Sequence, residues 1–183
     1  MLSKSVQRVL FGSVLLVVVV AAAWFFLLRQ PLPDAAFPGI GSRAEDFSLE
    51  ELVSGKTVKL SDFKSNRAVF LNFWASWCPF CAQEMPDMAT IQREFEKDIV
   101  ILAINRAEFG SVAEQFAKDI GAHGTYPLLL DQEDRVFKLY GGFAMPTSFF
   151  IDKRGIIRST AFGPLTLEEM RNRIRETLNP LSL

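Results

Sequence analysis

The chain has 183 residues, with 20 Lys and Arg against 21 Asp and Glu and a formal net charge of −1. A near-neutral chain with no basic stripe beyond its N-terminus lacks the electrostatic footprint of a nucleic-acid binder. Two cysteines and one histidine are too few for a disulfide-rich scaffold or a four-ligand Cys/His zinc site. The apolar share of 49% is raised by the first thirty residues; the remainder has an ordinary soluble composition.

Val9 to Leu28 carries no charge. Twenty helical residues at about 1.5 Å each span roughly 30 Å, the thickness of a bilayer's hydrocarbon core. A single transmembrane anchor is therefore expected over residues 9–28. Lys4 and Arg8 precede it, so the positive-inside tendency places residues 1–8 in the cytoplasm and the rest of the chain outside. A cleaved signal peptide is the competing reading. Ala21–Ala23 offers small residues for cleavage, but Trp24–Leu28 carries the apolar run past them and favours an uncleaved anchor. Residues 29–43 hold Pro31, Pro33, Pro38, Gly39 and Gly41 and have linker composition. The folded domain is expected over residues 44–183.

Within that domain, Asp46–Leu52 and Thr57–Leu60 flank Ser54-Gly55-Lys56 as a small hairpin. Ala68–Trp74 is a nearly continuous apolar run, as in a strand buried on both faces. A helix is expected from Pro79 to Lys97, with Met88, Ile91 and Phe95 on one face. Asp98–Ile104 reads as a second buried strand, Ser111–Ile120 as a helix, Tyr126–Leu130 as a short strand and Glu133–Tyr140 as a short helix. Thr147–Ile151 and Gly155–Thr160 form a second hairpin. A last helix, Leu167–Leu178, opens on a capping box of Thr166 and Glu169. Strands alternating with helices, then closed by a hairpin, predict an α/β domain with a mixed sheet.

The chemistry centres on Trp77-Cys78-Pro79-Phe80-Cys81. Two intervening residues put both sulfurs on the first turn of the helix, close enough to bond. Pro79 suits the first helical position, which leaves Cys78 at the helix N-terminus. Unpaired N–H groups and the helix dipole favour an anion there, so the Cys78 thiol is expected below its free pKa of about 8.5. Thiolate is the attacking species in disulfide exchange. Cys81, one turn in, is placed to attack a mixed disulfide and release the product. A purely structural disulfide would close too short a loop to stabilise much. A metal clip lacks its further ligands. Two inert thiols would not need this spacing between a strand and a helix.

The stretches AEDFSLEEL, KTVKLSDF, AVFLNFWASWCPFCAQEMP and AMPTSFFIDKRGIIR together resemble the membrane-anchored TlpA-like and ResA-like thioredoxins of bacteria, with the cytochrome c maturation thioredoxins nearby. The likeness runs over about residues 38–180. It implies a thioredoxin-like fold, a mixed central sheet flanked by helices, with an added N-terminal β-hairpin. It implies Cys78 as nucleophile and Cys81 as resolving thiol in a redox-active disulfide, with no further cofactor. Pro146 matches the cis-proline that faces the active site in this fold, and would present the backbone of Met145 to a substrate's extended chain. Glu84 matches an acid buried near the thiols, able to raise a thiol's pKa and exchange its proton. Asn72 stands where ordinary thioredoxins carry a buried Asp, which makes Glu84 the better candidate for managing the proton of Cys81. Pro86 matches a helix-kinking proline. Trp77, Pro79 and Phe80 are expected to meet the substrate, with Trp77 covering the disulfide.

The resemblance implies a single-pass protein of the bacterial inner (cell) membrane, with its catalytic domain in the periplasm. Its partners would be a membrane electron donor and exported proteins, such as apocytochrome c or a copper-site protein. Reduction of disulfides is the expected direction. The alternatives are a disulfide oxidase, a peroxiredoxin-type peroxidase and a thiol-based copper chaperone. His123, flanked by glycines, reads as an inert loop residue.

Overall fold

The computed structural model describes residues 18–25 and 37–179, which fall in two units divided between Asp34 and Ala35. In the first unit residues 18–25 are helical and exposed. The rest of the expected anchor, residues 9–17 and 26–28, lies outside the described residues, as do residues 29–36 of the linker. Among the described residues no helix is long and apolar enough to cross a membrane.

The second unit is built on one seven-stranded sheet. Its strands are β1 (Ser48–Glu51), β2 (Thr57–Lys59), β3 (Ala68–Trp74), β4 (Ile99–Arg106), β5 (Leu128–Asp131), β6 (Thr147–Ile151) and β7 (Ile157–Phe162). The order across the sheet is β2-β1-β5-β4-β3-β6-β7. The pairs β3/β4 and β4/β5 are parallel and the others antiparallel. Helices α1 (Pro79–Glu94), α2 (Gly110–Asp119), α3 (Arg135–Leu139) and α4 (Leu167–Leu178) connect or close it. The expected hairpin β1–β2 joins the sheet edge by pairing with β5.

Every residue of β3 is buried because the strand has a partner on each side and a packed layer over each face. Alternation divides its side chains. Phe70 and Trp74 belong to a cluster with Cys81, Met85, Met88 and Ile91 of α1. Leu71 and Phe73 face Phe137, Tyr140 and Phe149 on the other side. Asn72 shares the α1 side with Phe70 and Trp74 by the same period of two. A polar residue in the middle of this strand therefore lies under the helix that carries both cysteines.

Most element boundaries move by one or two residues from the sequence reading, and three of the shifts have a clear local cause. Helix α1 stops at Glu94, because Phe95 leaves the helical conformation and residues 96–98 turn the chain into β4. The turn is closed by the Asp98 N–H donating to the Phe95 carbonyl at 2.9 Å. Strand β5 starts at Leu128, since Pro127 has no N–H to give a ladder, although its carbonyl still accepts from the Ala103 N–H of β4 at 3.0 Å. Strand β7 starts at Ile157, because the Asp152 carboxylate gathers the N–H groups of Arg154 and Ile156 into the turn at 2.8 and 3.0 Å. The capping box at Thr166 and Glu169 forms as expected.

Residues 37–43, read as linker, are packed on the domain. Gly41 N–H donates to the Ile157 carbonyl at 2.8 Å, and Ile157 N–H donates to the Ser42 carbonyl at 3.0 Å. Phe37 stacks on Phe149 with ring centroids 5.4 Å apart and tilts against Phe162 at 5.1 Å. Gly141, at φ +63°, lies beneath it; a Cβ there would come within 2.9 Å of the Phe37 Cα. Gly141→Ala combines a left-handed backbone with a clash and is expected to cost about 1–3 kcal/mol in urea unfolding. Gly163→Ala also has positive φ, at +91°, but meets open space. It should cost less, and equal losses in the two variants would refute the packing account.

Candidate active site

Strand β3 ends at Trp74, and the turn Ala75-Ser76-Trp77 leads into α1. The Cys78 N–H closes that turn on the Ala75 carbonyl at 3.1 Å. Cys78 is the N-cap of α1, in extended conformation, and Pro79 follows at the first helical position. The chain is therefore bent so that the Cys78 sulfur faces the orphan N–H groups of the first turn. Its Sγ accepts from the Cys81 N–H at 3.1 Å. The two cysteines form a disulfide, S–S 2.14 Å, with Cα atoms 5.3 Å apart. Both cysteines are buried, Cys78 at 4% exposure and Cys81 at 0%, so what little surface the pair offers lies on Cys78.

Large apolar side chains surround that opening. Trp77 is 65% exposed and Phe80 51% exposed. Trp77 thus presents most of its ring to solvent, and any cover it gives the disulfide is partial. Pro79 is exposed as well. The Met145–Pro146 bond is cis and opens β6, with Pro146 buried and Met145 half-buried. Met145 packs against the same buried cluster that contains Cys78 and Cys81.

Glu84 lies one turn beyond Cys81 and is 2% exposed. Its Oε1 accepts from Asn72 Nδ2 at 2.6 Å, and its Oε2 accepts from the Leu165 N–H at 2.9 Å. Burial pushes its carboxyl up to about 7, against the lowering pull of the Leu165 N–H and the Asn72 amide. The same burial, with the Glu84 carboxylate nearby, holds the Tyr126 phenol well above its ordinary range. A carboxyl poised near neutrality, one turn from Cys81 on the same helix, can hold or release a proton under working conditions.

Two participants escaped the sequence reading. Glu108, after the end of β4, accepts from Ser76 through both its backbone N–H (2.8 Å) and its hydroxyl, and from Asn105 Nδ2 at 2.6 Å. It clamps the turn that carries Trp77. The only signal for it was a carboxylate just beyond a buried strand. Ser148 accepts from Asn72 at 3.1 Å, a contact across β3 and β6 that no local pattern encodes. Among the described residues no group of three or more His, Cys, Asp and Glu side chains is placed to hold a metal ion.

A disulfide capping a helix directly after an interior strand of a mixed sheet defines a thiol–disulfide oxidoreductase of thioredoxin-like fold. The comparisons agree. The AhpC/TSA family matches residues 40–160. The thiol-disulfide oxidoreductase ResA of Geobacillus thermodenitrificans (strain NG80-2) is 33% identical over 178 residues, covering 97% of this chain and 99% of that protein. The pneumococcal exposed lipoprotein thioredoxin Etrx1 from Streptococcus pneumoniae strain TIGR4 superposes with a TM-score of 0.62 at 32% identity, over 72% of this chain and 99% of its own. A thiol:disulfide interchange protein of Chlorobium tepidum TLS superposes at 0.66 with 27% identity, over 76% of this chain and 98% of its own. The chain belongs to the AhpC/TSA family and, within it, to the ResA-like thiol–disulfide oxidoreductases.

Proposed function

We propose that this protein is a membrane-tethered reductant of disulfides in exported proteins. The observation that carries the reading is the Cys78 sulfur at the mouth of α1, accepting an N–H of the first turn. In the reduced protein the same donor would stabilise a Cys78 thiolate. That thiolate attacks one sulfur of a substrate disulfide. A Cys78–substrate bond forms, and the other substrate sulfur leaves and takes a proton. Cys81 then gives up its proton and attacks the Cys78 sulfur. The ring closes and the second substrate sulfur departs as a thiol. Two electrons have passed to the substrate. Glu84 is assigned the proton of Cys81, and a dithiol donor at the membrane restores the reduced form. Trp77, Pro79, Phe80 and the cis-peptide pair Met145 and Pro146 are assigned to the substrate's chain. Exported thiol proteins such as apocytochrome c, or a copper-site protein, are the proposed partners.

Tethering through residues 9–28, with residues 29–43 as linker and the catalytic domain outside the inner membrane, is supported by the charge-free run Val9 to Leu28 and by the helix at residues 18–25. The likeness to ResA covers 97% of the chain and so extends into this segment.

Equilibration of the full chain with glutathione or dithiothreitol tests the direction of electron flow. A potential near that of thioredoxin, about −270 mV, is expected. One near about −120 mV would make the protein an oxidase and overturn the reading.

A further inference from the structure

We propose that Asn72 is the positioning residue for Glu84, and that its side-chain amide reverses whenever Glu84 changes protonation state, with the Ser148 hydroxyl following. The proposal rests on the reading of Glu84 as the proton carrier beside Cys81.

Asn72 is fully buried. Its Nδ2 donates to Glu84 Oε1 at 2.6 Å and to Ser148 Oγ at 3.1 Å, while its Oδ1 meets no hydrogen-bond partner among the described residues. This orientation serves an ionised carboxylate, whose oxygens only accept. It does not serve a protonated one. A proton on Oε1 would point at the amide N–H across the same short distance. A proton on Oε2 would oppose the Leu165 N–H. Turning the amide by half a rotation removes the conflict. Oδ1 then takes the place of Nδ2 and accepts from the Glu84 carboxyl and from the Ser148 hydroxyl. A hydroxyl can donate as readily as it accepts, so Ser148 serves both states. Oε2 keeps its Leu165 N–H throughout. One end of the amide is unpartnered in either orientation, so that cost largely cancels between them. The bonds to Glu84 and Ser148 decide which orientation prevails.

The groups facing Glu84 limit what else can titrate. On α1, Cys78 and Cys81 lie within two turns of Glu84 along the helix and do not ionise while joined as a disulfide. Tyr126, ahead of β5, has its hydroxyl committed to the Met85 carbonyl and retains its proton. Strands β3 and β6 contribute Asn72 and Ser148, which do not titrate. The segment before α4 contributes the Leu165 N–H alone. Glu84 is thus the group of this set that changes charge near neutrality in the oxidised protein.

The test is nuclear magnetic resonance of the oxidised full chain in detergent, following the Glu84 side-chain carboxyl carbon and the Asn72 side-chain NH₂ from pH 5 to 9. Both are expected to change with one shared midpoint. The amide protons should lose their carboxylate-bonded shift on the acid side, and Glu84→Gln should abolish the Asn72 transition. If Glu84 titrates while the Asn72 resonances stay fixed, the reversal is wrong and the proton carrier survives. If Glu84 does not titrate in this range, both readings fall. Asn72→Leu supplies a second measurement. It removes a charge-assisted donor from the ionised form and only a weaker neutral bond from the protonated form. The Glu84 midpoint should rise by about one pH unit or more, a tenfold loss in ionisation constant. An unchanged or lowered midpoint would overturn the positioning role.

Discussion

Cys78→Ser is expected to lower insulin disulfide reduction by roughly a thousandfold or more, because a serine hydroxyl is not ionised at neutral pH and cannot replace a thiolate. Cys81→Ser should behave differently. Its Cys78 sulfur remains at the mouth of α1, but the Cys81 side chain, fully buried one turn in, no longer supplies the second attack. Mixed disulfides with substrate should accumulate and appear as higher-mass bands on non-reducing gels, lost on adding dithiothreitol. The expected asymmetry follows from the helix cap and from burial, since Cys78 is the N-cap and carries what exposure the pair has. Full activity in either variant, or trapping by Cys78→Ser instead of Cys81→Ser, would contradict the assigned roles.

The second large effect concerns stability and pH. Glu84 has an ordinary value of 4.5 and is raised to about 7 in the folded protein. A carboxyl raised on folding contributes stability that is fully present below pH 4.5. That contribution is lost as pH rises, because the unfolded chain ionises first, and the loss levels off above about 7. The oxidised protein should therefore lose about 2–3 kcal/mol of unfolding free energy between pH 5 and pH 8. Glu84→Gln cannot ionise and should remove most of that slope. The lowered carboxyls of Glu51 and Asp152 act in the opposite sense, and only as pH falls below their ordinary values, outside this window. Urea titrations of the disulfide form at the two pH values measure the difference. A variant as pH-dependent as the parent would show that Glu84 does not carry it.

Much of this architecture could be read from the residues because local and global preferences agree. The unbroken apolar run of β3 predicts a strand buried on both faces, and all seven of its residues are buried. Pro79 after Cys78 predicts a helix start with the sulfur at its cap, and the cap bond is there. Thr166 and Glu169 encode their own helix start. What escaped depends on contacts distant in sequence. Glu108 reaches Ser76 across 32 residues, and Ser148 reaches Asn72 across 76. No periodicity records such pairs. The composition of residues 37–43 carries only a local statement, that Pro and Gly disfavour helix and strand there. It could not show that Phe37 finds Phe149, or that β7 supplies hydrogen-bond partners for Gly41 and Ser42.

The seating of Phe37 over Gly141 also fixes where the molecule tolerates being cut. A protease nick upstream of Ala36 would free a body that keeps its full aromatic stack. A nick between Phe37 and Ser42 would free the ring from Phe149, Phe162 and Gly141, and Gly141 lies four residues before Met145, so the segment packed against the cysteine cluster would be disturbed without touching either cysteine.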